Sequence, residues 1–235
     1  MTEHLRAARL RARDALVRAG TVGFKPVSSA KWVNIFRTWS GVLHVQIEHD
    51  SIKGVTPQMM RWWFEHLGQS TTWDGKALGG PEVSLYHLWH HRDHVAIIPV
   101  SSPNDQVNKG FIQGWLSKVH EQFNDFHDRV DVRSTTDILS DSELNFSVKL
   151  FGIVVTQILH HWKPTTDGLA FYAETVVGCD VPIIGLFINW LLMPLIYTTA
   201  SGEHWIRHNI EETGRTEDIL PALYKLHGPS SENAL

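Results

Sequence analysis

The chain has 235 residues, 43% of them hydrophobic and 20% charged, with a formal net charge of -4. This is the composition of an ordinary soluble globular protein of one generous domain, and it lacks the basic excess of a nucleic-acid binder. The single cysteine, Cys179, excludes an internal disulfide and fits a reducing, cytoplasmic setting.

Met1–Gly20 reads as an amphipathic helix, with Leu5, Ala8, Ala12, Ala15, Leu16 and Ala19 on one side and five arginines elsewhere. It has no apolar h-region, so it is not a secretory signal, and Glu3 and Asp14 argue against an organelle leader. A packing or homodimerisation helix is the better reading. Lys31–Asp50 has the pattern of two strands around a Ser40–Gly41 turn, with Leu43, Val45 and Ile47 facing one way. A helix follows, capped by Thr56, started by Pro57 and ended by Gly68. Its Met60, Trp63, Phe64 and Leu67 recur at helical spacing, as expected of core packing.

Thr71–Glu82 reads as a loop, leading to a strand over Val83–Val100, and Ser101–Gly110 as a second loop. Lys118–Phe123 reads as a strand that carries Glu121 among apolar neighbours, where an acid needs a partner. Ser142–Trp162 and Gly168–Gly178 suggest a hairpin around Lys163–Gly168. Alternation places His160 and His161 on opposite faces, so one of them at most looks into a cavity. The 22 residues Val181–Gly202 carry no charge. Pro182, Gly185, Asn189 and Pro194, with a mean hydropathy of -0.16 for the chain, favour a buried helix backing the core over a membrane span. A helix ended by Gly214, a short helix over Thr216–Leu226 and a disordered polar tail complete the chain.

The expected architecture is α+β: an antiparallel sheet with helices on one side, curled around a cavity. The domain boundaries are 1–30 for an N-terminal helical segment, 31–227 for the main domain and 228–235 for the tail.

Two segments concentrate metal-binding groups: Tyr86–His94 (YHLWHHRDH) and His204–Glu212 (HWIRHNIEE). On a helix, His208 and Glu212 stand one turn apart on one face, able to reach one cation, and His204 lies a turn earlier. On a strand, Tyr86, His90, Arg92 and His94 share one side, so His90 and His94 compete for one ligand role. Glu121 lies between the two segments in sequence. His44 and His49 read as structural or surface groups.

The runs HDSIKGVTPQMMRWWF, YHLWHHRDH and WIRHNIEETG, followed by LPALY, resemble the family of 2,4-diacetylphloroglucinol hydrolase and phloretin hydrolase, from about Val42 to Tyr224. The resemblance implies a helix-grip fold of the START or Bet v 1 type. It also implies a Zn²⁺ ion held by two His and two Glu, and hydrolysis of the carbon–carbon bond joining an acyl group to a phenolic ring. Carried over residue by residue, it gives His94, Glu121, His208 and Glu212 as metal ligands, with His90 and Glu143 as rivals for the first two. Tyr86, His160 and Tyr172 are the implied catalytic or substrate-side residues. His91 stands where the family pattern has proline, and the N-terminal segment is short for the helical domain of some members. Two other functions suit the same pattern: a carrier for an apolar or aromatic ligand, and a metal-free polyketide cyclase or dehydratase working through His and Tyr.

Overall fold

The computed structural model describes residues 23–74, 78–101 and 110–229. The N-terminal amphipathic helix, most of the Ser101–Gly110 loop and nearly all of the polar tail therefore lie outside the described residues. The chain starts with a 3-10 turn at Val27–Ser29 and a hairpin of β1 (Trp32–Arg37) and β2 (Leu43–Glu48). On β2, Leu43, Val45 and Ile47 are buried while His44 and Gln46 are only partly covered, the alternation of a strand with one face on the core. After β3 (Ile52–Lys53) comes α1 (Pro57–His66). The Thr56 hydroxyl accepts from the Met59 amide at its start, and Met60, Trp62, Trp63 and Phe64 are buried.

The region after α1 departs from expectation. The Thr71–Glu82 segment is not a loop but a hairpin of β4 (Ser70–Trp73) and β5 (Leu78–Ser84). The expected strand through Tyr86–His94 is instead helix α2 (Leu85–Trp89), capped by Ser84 and followed by a tight turn, with β6 (His94–Ser101) beginning only at His94. Ser84 supplies the physical reason, since its hydroxyl accepts from the Tyr86 amide and starts a helix where alternation suggested extension.

Next come β7 (Leu116–Phe123), β8 (Asp128–Leu139), β9 (Glu143–Leu150), β10 (Ile153–Pro164) and β11 (Gly168–Val177). The segment Ser142–Trp162 is thus two strands, turned at Phe151–Gly152, where both residues have positive φ. Every neighbouring pair in the large sheet is antiparallel, in the order β1-β2-β11-β10-β9-β8-β7-β6, with β3 on β11.

The Val181–Gly202 segment forms α3 (Ile184–Phe187), one π-helical turn at Ile188–Leu192, and α4 (Met193–Ile196). Pro194, which cannot donate to the preceding turn, sits where the regular ladder is interrupted. The segment is not buried as expected: nine of its large apolar side chains are exposed.

One continuous helix, α5 (Thr199–His227), then packs against the sheet at β1, β2, β3 and β7, passing through Gly214 and Pro221 rather than breaking at Gly214. At ~1.5 Å per residue its 29 residues span ~43 Å. Gly202 lets it approach, because a Cβ there would stand 2.9 Å from a Val45 methyl. The result is α+β: a long antiparallel sheet with one long C-terminal helix packed against it. No single helix among the described residues is long and apolar enough to cross a membrane.

Candidate metal centre

Three elements bring their acids and imidazoles together under α5. His94 opens β6 and pairs in register with Glu121 on β7, and directly opposed residues on an antiparallel ladder project to the same side. His94 Nε2 lies 3.7 Å from Glu121 Oε1 and 3.2 Å from Glu212 Oε2. On α5, His208 and Glu212 stand one turn apart, with His208 Nε2 3.6 Å from Glu212 Oε2. One atom from each of His94, His208 and Glu212 falls within a 4.8 Å group, all three side chains buried.

The outer atoms of these side chains are held by a second layer. The Tyr86 carbonyl accepts from His94 Nδ1 at 2.7 Å, which puts the lone pair of the neutral ring on Nε2. His208 Nδ1 donates to Asp93 Oδ2 at 3.1 Å, so its Nε2 also turns inward. Asn209 Nδ2 donates to Glu212 Oε1 at 2.7 Å, and His49 Nε2 donates to Asn209 Oδ1 at 3.0 Å. The Tyr86 hydroxyl donates to Glu121. The Tyr86 ring lies flat on the His94 imidazole, 3.7 Å between centroids. Imidazoles oriented by a carbonyl and a carboxylate, with carboxylates themselves hydrogen-bonded, form the outer layer that protein metal sites use.

Burial and charge shift the protonation of this cluster. Burial, reinforced by Glu121, pushes Glu212 up to about 8 against the pull of His208. Burial disfavours the charged form of His208, but Glu212 and the Asp93 hydrogen bond outweigh it and raise the group to about 9. Burial also raises Glu121 and holds the Tyr86 hydroxyl well above its ordinary value. The buried carboxylates are short of compensating positive charge, which protons or a cation supplies.

The rivals are placed elsewhere. His90 Nδ1 accepts from the Asp93 amide at 2.9 Å, and His90 Nε2 donates to Glu211 at 3.1 Å, so both ring nitrogens serve the outer layer. Although His90, Asp93 and His208 form a second close group, these hydrogen bonds account for it. Glu143 lies near His161 and Asn145, away from the cluster. His204 faces Asp128.

The cluster forms one wall of a cavity bounded by the sheet. Phe64, Trp89, Phe111, Phe146, Trp205 and Ile158 give it an apolar lining, and Tyr86, Ser134 and His160 join Glu121, His208, Asn209 and Glu212 as its polar groups, while His94 stands behind them. Burial lowers His160 to about 4, so the ring is neutral near pH 7. Ser134 Oγ is buried with no hydrogen-bond partner among the described residues, as is His160 Nδ1.

Of the two strand histidines, His160 faces in and His161 faces out. Tyr172 opposes His161 across the β10–β11 ladder and therefore points outward too, where its hydroxyl donates to Glu174 at 3.0 Å. Its expected place in the cavity is corrected by that register. Asp93, Asn209, His49 and Ser134 were not among the expected site residues. Asp93 and Asn209 sit inside the two metal-rich runs and could have been suspected there; His49 and Ser134 carry no local signal.

Fold and site together define a helix-grip protein with a cavity of aromatic walls and a His/Glu cluster at its edge. No protein-family model and no curated protein sequence matches the chain. Among similar solved structures are a Staphylococcus aureus protein of unknown function, at 12% identity, covering 74% of this chain and 94% of that one with a TM-score of 0.38. A Nitrosomonas europaea protein matches at 11%, 77% and 97%, with a TM-score of 0.36. A Polyketide_cyc-like protein from Corynebacterium glutamicum matches at 10%, 81% and 96%, also at 0.36.

Proposed function

We propose that the protein is a zinc-dependent hydrolase that cleaves the carbon–carbon bond between an acyl group and a phenolic ring of the phloroglucinol type. The observation that carries this reading is the meeting of His94, His208 and Glu212, with Glu121 beside His94, next to one aromatic cavity that Glu121, His208 and Glu212 line. The donor set fits the ion: two imidazole nitrogens and two carboxylates, oriented by an outer layer, are ligands that zinc accepts.

Zinc bound there would supply a Lewis acid and water acidified towards pKa ~7. The chain's own residues account for the rest. Cleavage forms a C–O bond from water to the acyl carbon, breaks the aryl–acyl bond and needs a proton on the ring carbon that leaves. The Tyr86 hydroxyl, resting on Glu121, keeps a proton at the cavity wall for that purpose. Neutral His160 and the Ser134 hydroxyl offer hydrogen bonds to ring hydroxyls. Phe64, Phe111, Phe146 and Trp205 exclude water and pack on the ring. Tyr172, on the outer face, takes no part.

A second reading has its own support: the His/Asp/Glu hydrogen bonds close on one another, and the cavity is mostly apolar, which suits a metal-free ligand carrier or a polyketide cyclase or dehydratase. Elemental analysis of protein expressed with ample zinc separates the two. About one zinc per chain is expected, and less than about half a zinc would defeat the hydrolase reading. Incubation with a panel of acylphloroglucinols should release the free phenol and the carboxylic acid. Glu212→Gln should lower both zinc content and turnover, by ~10²-fold or more in the latter.

A further inference from the structure

The end of the sheet opposite the free end of β1 breaks the usual surface rule. Ile183 is 78% exposed, Phe187 68%, Leu191 60%, Leu195 81% and Ile196 65%, with Ile184, Leu186, Trp190 and Leu192 also exposed beside them. Two turns extend the same surface. Trp190 packs onto Gly41, whose neighbour Trp39 is 85% exposed, and Gly152 shares a groove with Val181 and Pro182 beside Phe151, itself 96% exposed.

This surface is held rigidly. Asn189 is fully buried, its side chain accepting from the Cys179 amide at 2.8 Å and donating to the Ser40 and Cys179 carbonyls at 3.0 Å. Gly185 lets the segment seat closely, since a Cβ there would meet the Cys179 carbonyl oxygen at 2.5 Å. A helix pinned by a buried polar clamp to two strand ends presents its apolar side chains in fixed positions.

We propose that this surface is the interface with a second copy of the chain in a two-fold dimer. The nine exposed side chains of 183–196, seven aliphatic and two aromatic, offer on the order of 800 Å² of apolar surface, taking the low end of the ~150–250 Å² of an aromatic side chain for each fully exposed one. A monomer's largest apolar patch is ~300–600 Å², and a stable interface takes ~800 Å² from each partner. A two-fold axis sets the same patch against itself, so a patch without charge meets no like-charge repulsion. The charges that flank the segment, Asp180 and Glu203, are acidic, and no Lys or Arg lies between Lys163 and Arg207. Helices that lie on membrane surfaces carry several basic residues beside their apolar face, whereas here Arg37, bonded to the Gly41 carbonyl, stands at the rim, and this pattern favours a protein partner over lipid.

The test is sedimentation equilibrium on the full chain over a range of concentration, with Phe187→Glu and Leu195→Glu alongside and zinc content and circular dichroism as checks on folding. The wild type should have the mass of two chains, and each substitution should raise the dissociation constant on the order of 100-fold or more. A wild type with the mass of one chain at tens of micromolar overturns the proposal. So does a dimer that both charged variants leave intact, and so does a monomer that co-sediments with phosphatidylcholine vesicles.

Discussion

The middle of α5 and the segment just before that helix are close in sequence and opposites in surface. From His208 to Thr216 the helix buries His208, Asn209, Glu211, Glu212, Thr213, Arg215 and Thr216, whereas 183–196 leaves Ile, Leu, Phe and Trp in solvent. Burying polar and charged groups costs free energy unless they are paired, and exposing apolar ones forgoes the gain of burial. Each region has therefore given up stability, and each has a use that offsets the loss: His208, Asn209 and Glu212 of the buried polar run face the cavity, and the exposed apolar run is the proposed partner surface.

The sharpest way to break this contrast is with acid. Burial holds His160 at about 4 in the folded state against ~6.5 in an unfolded chain, so between pH 6.5 and 4 the unfolded state binds a proton that the folded state refuses. Its contribution to stability is complete above pH 6.5 and falls as the pH drops towards 4. His160→Phe removes this dependence while keeping a ring among Phe64, Phe146 and Phe171. Between pH 7 and 4 the stability difference should move in the variant's favour by on the order of 3 kcal/mol in urea titrations. A constant difference would mean that His160 is already charged or open to water. The apolar segment titrates nothing, so dimer dissociation constants of the folded chain should stay flat between pH 6.5 and 8.

A smaller effect tests whether the outer layer of the cluster works as a unit. Asp93 orients His208 through Nδ1 and also borders His90 and Arg92. Asp93→Asn keeps the shape but replaces a carboxylate acceptor with an amide, and loss of such a partner costs ~10–100-fold in metal affinity. Competition with a zinc chelator reads this directly. Unchanged affinity would make Asp93 a fold residue that happens to touch a ligand.

These residues also show where sequence reading works. The positions 86, 90 and 94 are spaced by four, a spacing that keeps side chains together on a strand of period two and nearly so on a helix of 3.6. The expected strand at Tyr86–Trp89 was therefore wrong in secondary structure, yet it grouped Tyr86 with the right histidines. The His208–Glu212 pair was legible because a helix face is local information. Register is not local: nothing in the sequence says that His94 opposes Glu121, or that Tyr172 opposes His161 rather than His160. The exposed segment misled for a different reason, since an uncharged apolar run reads the same whether its partner is the chain's own core or a second protein.

The smallest effect concerns Ser134, whose place in the cavity depends entirely on register. β8 sets Ser134 against Ser117 on one side and Val148 on the other, with its hydroxyl buried towards the cavity. A buried hydroxyl without a partner costs stability in the ligand-free protein, and a ligand hydroxyl that pairs with it recovers that cost. Ser134→Ala should leave the fold as stable or slightly more so, and weaken binding of a ring bearing the matching hydroxyl by ~1 kcal/mol, about five-fold in KM with little change in kcat. Substrates lacking that hydroxyl should lose nothing. An equal loss for both kinds of ring would show that the serine fills space instead of reading the substrate.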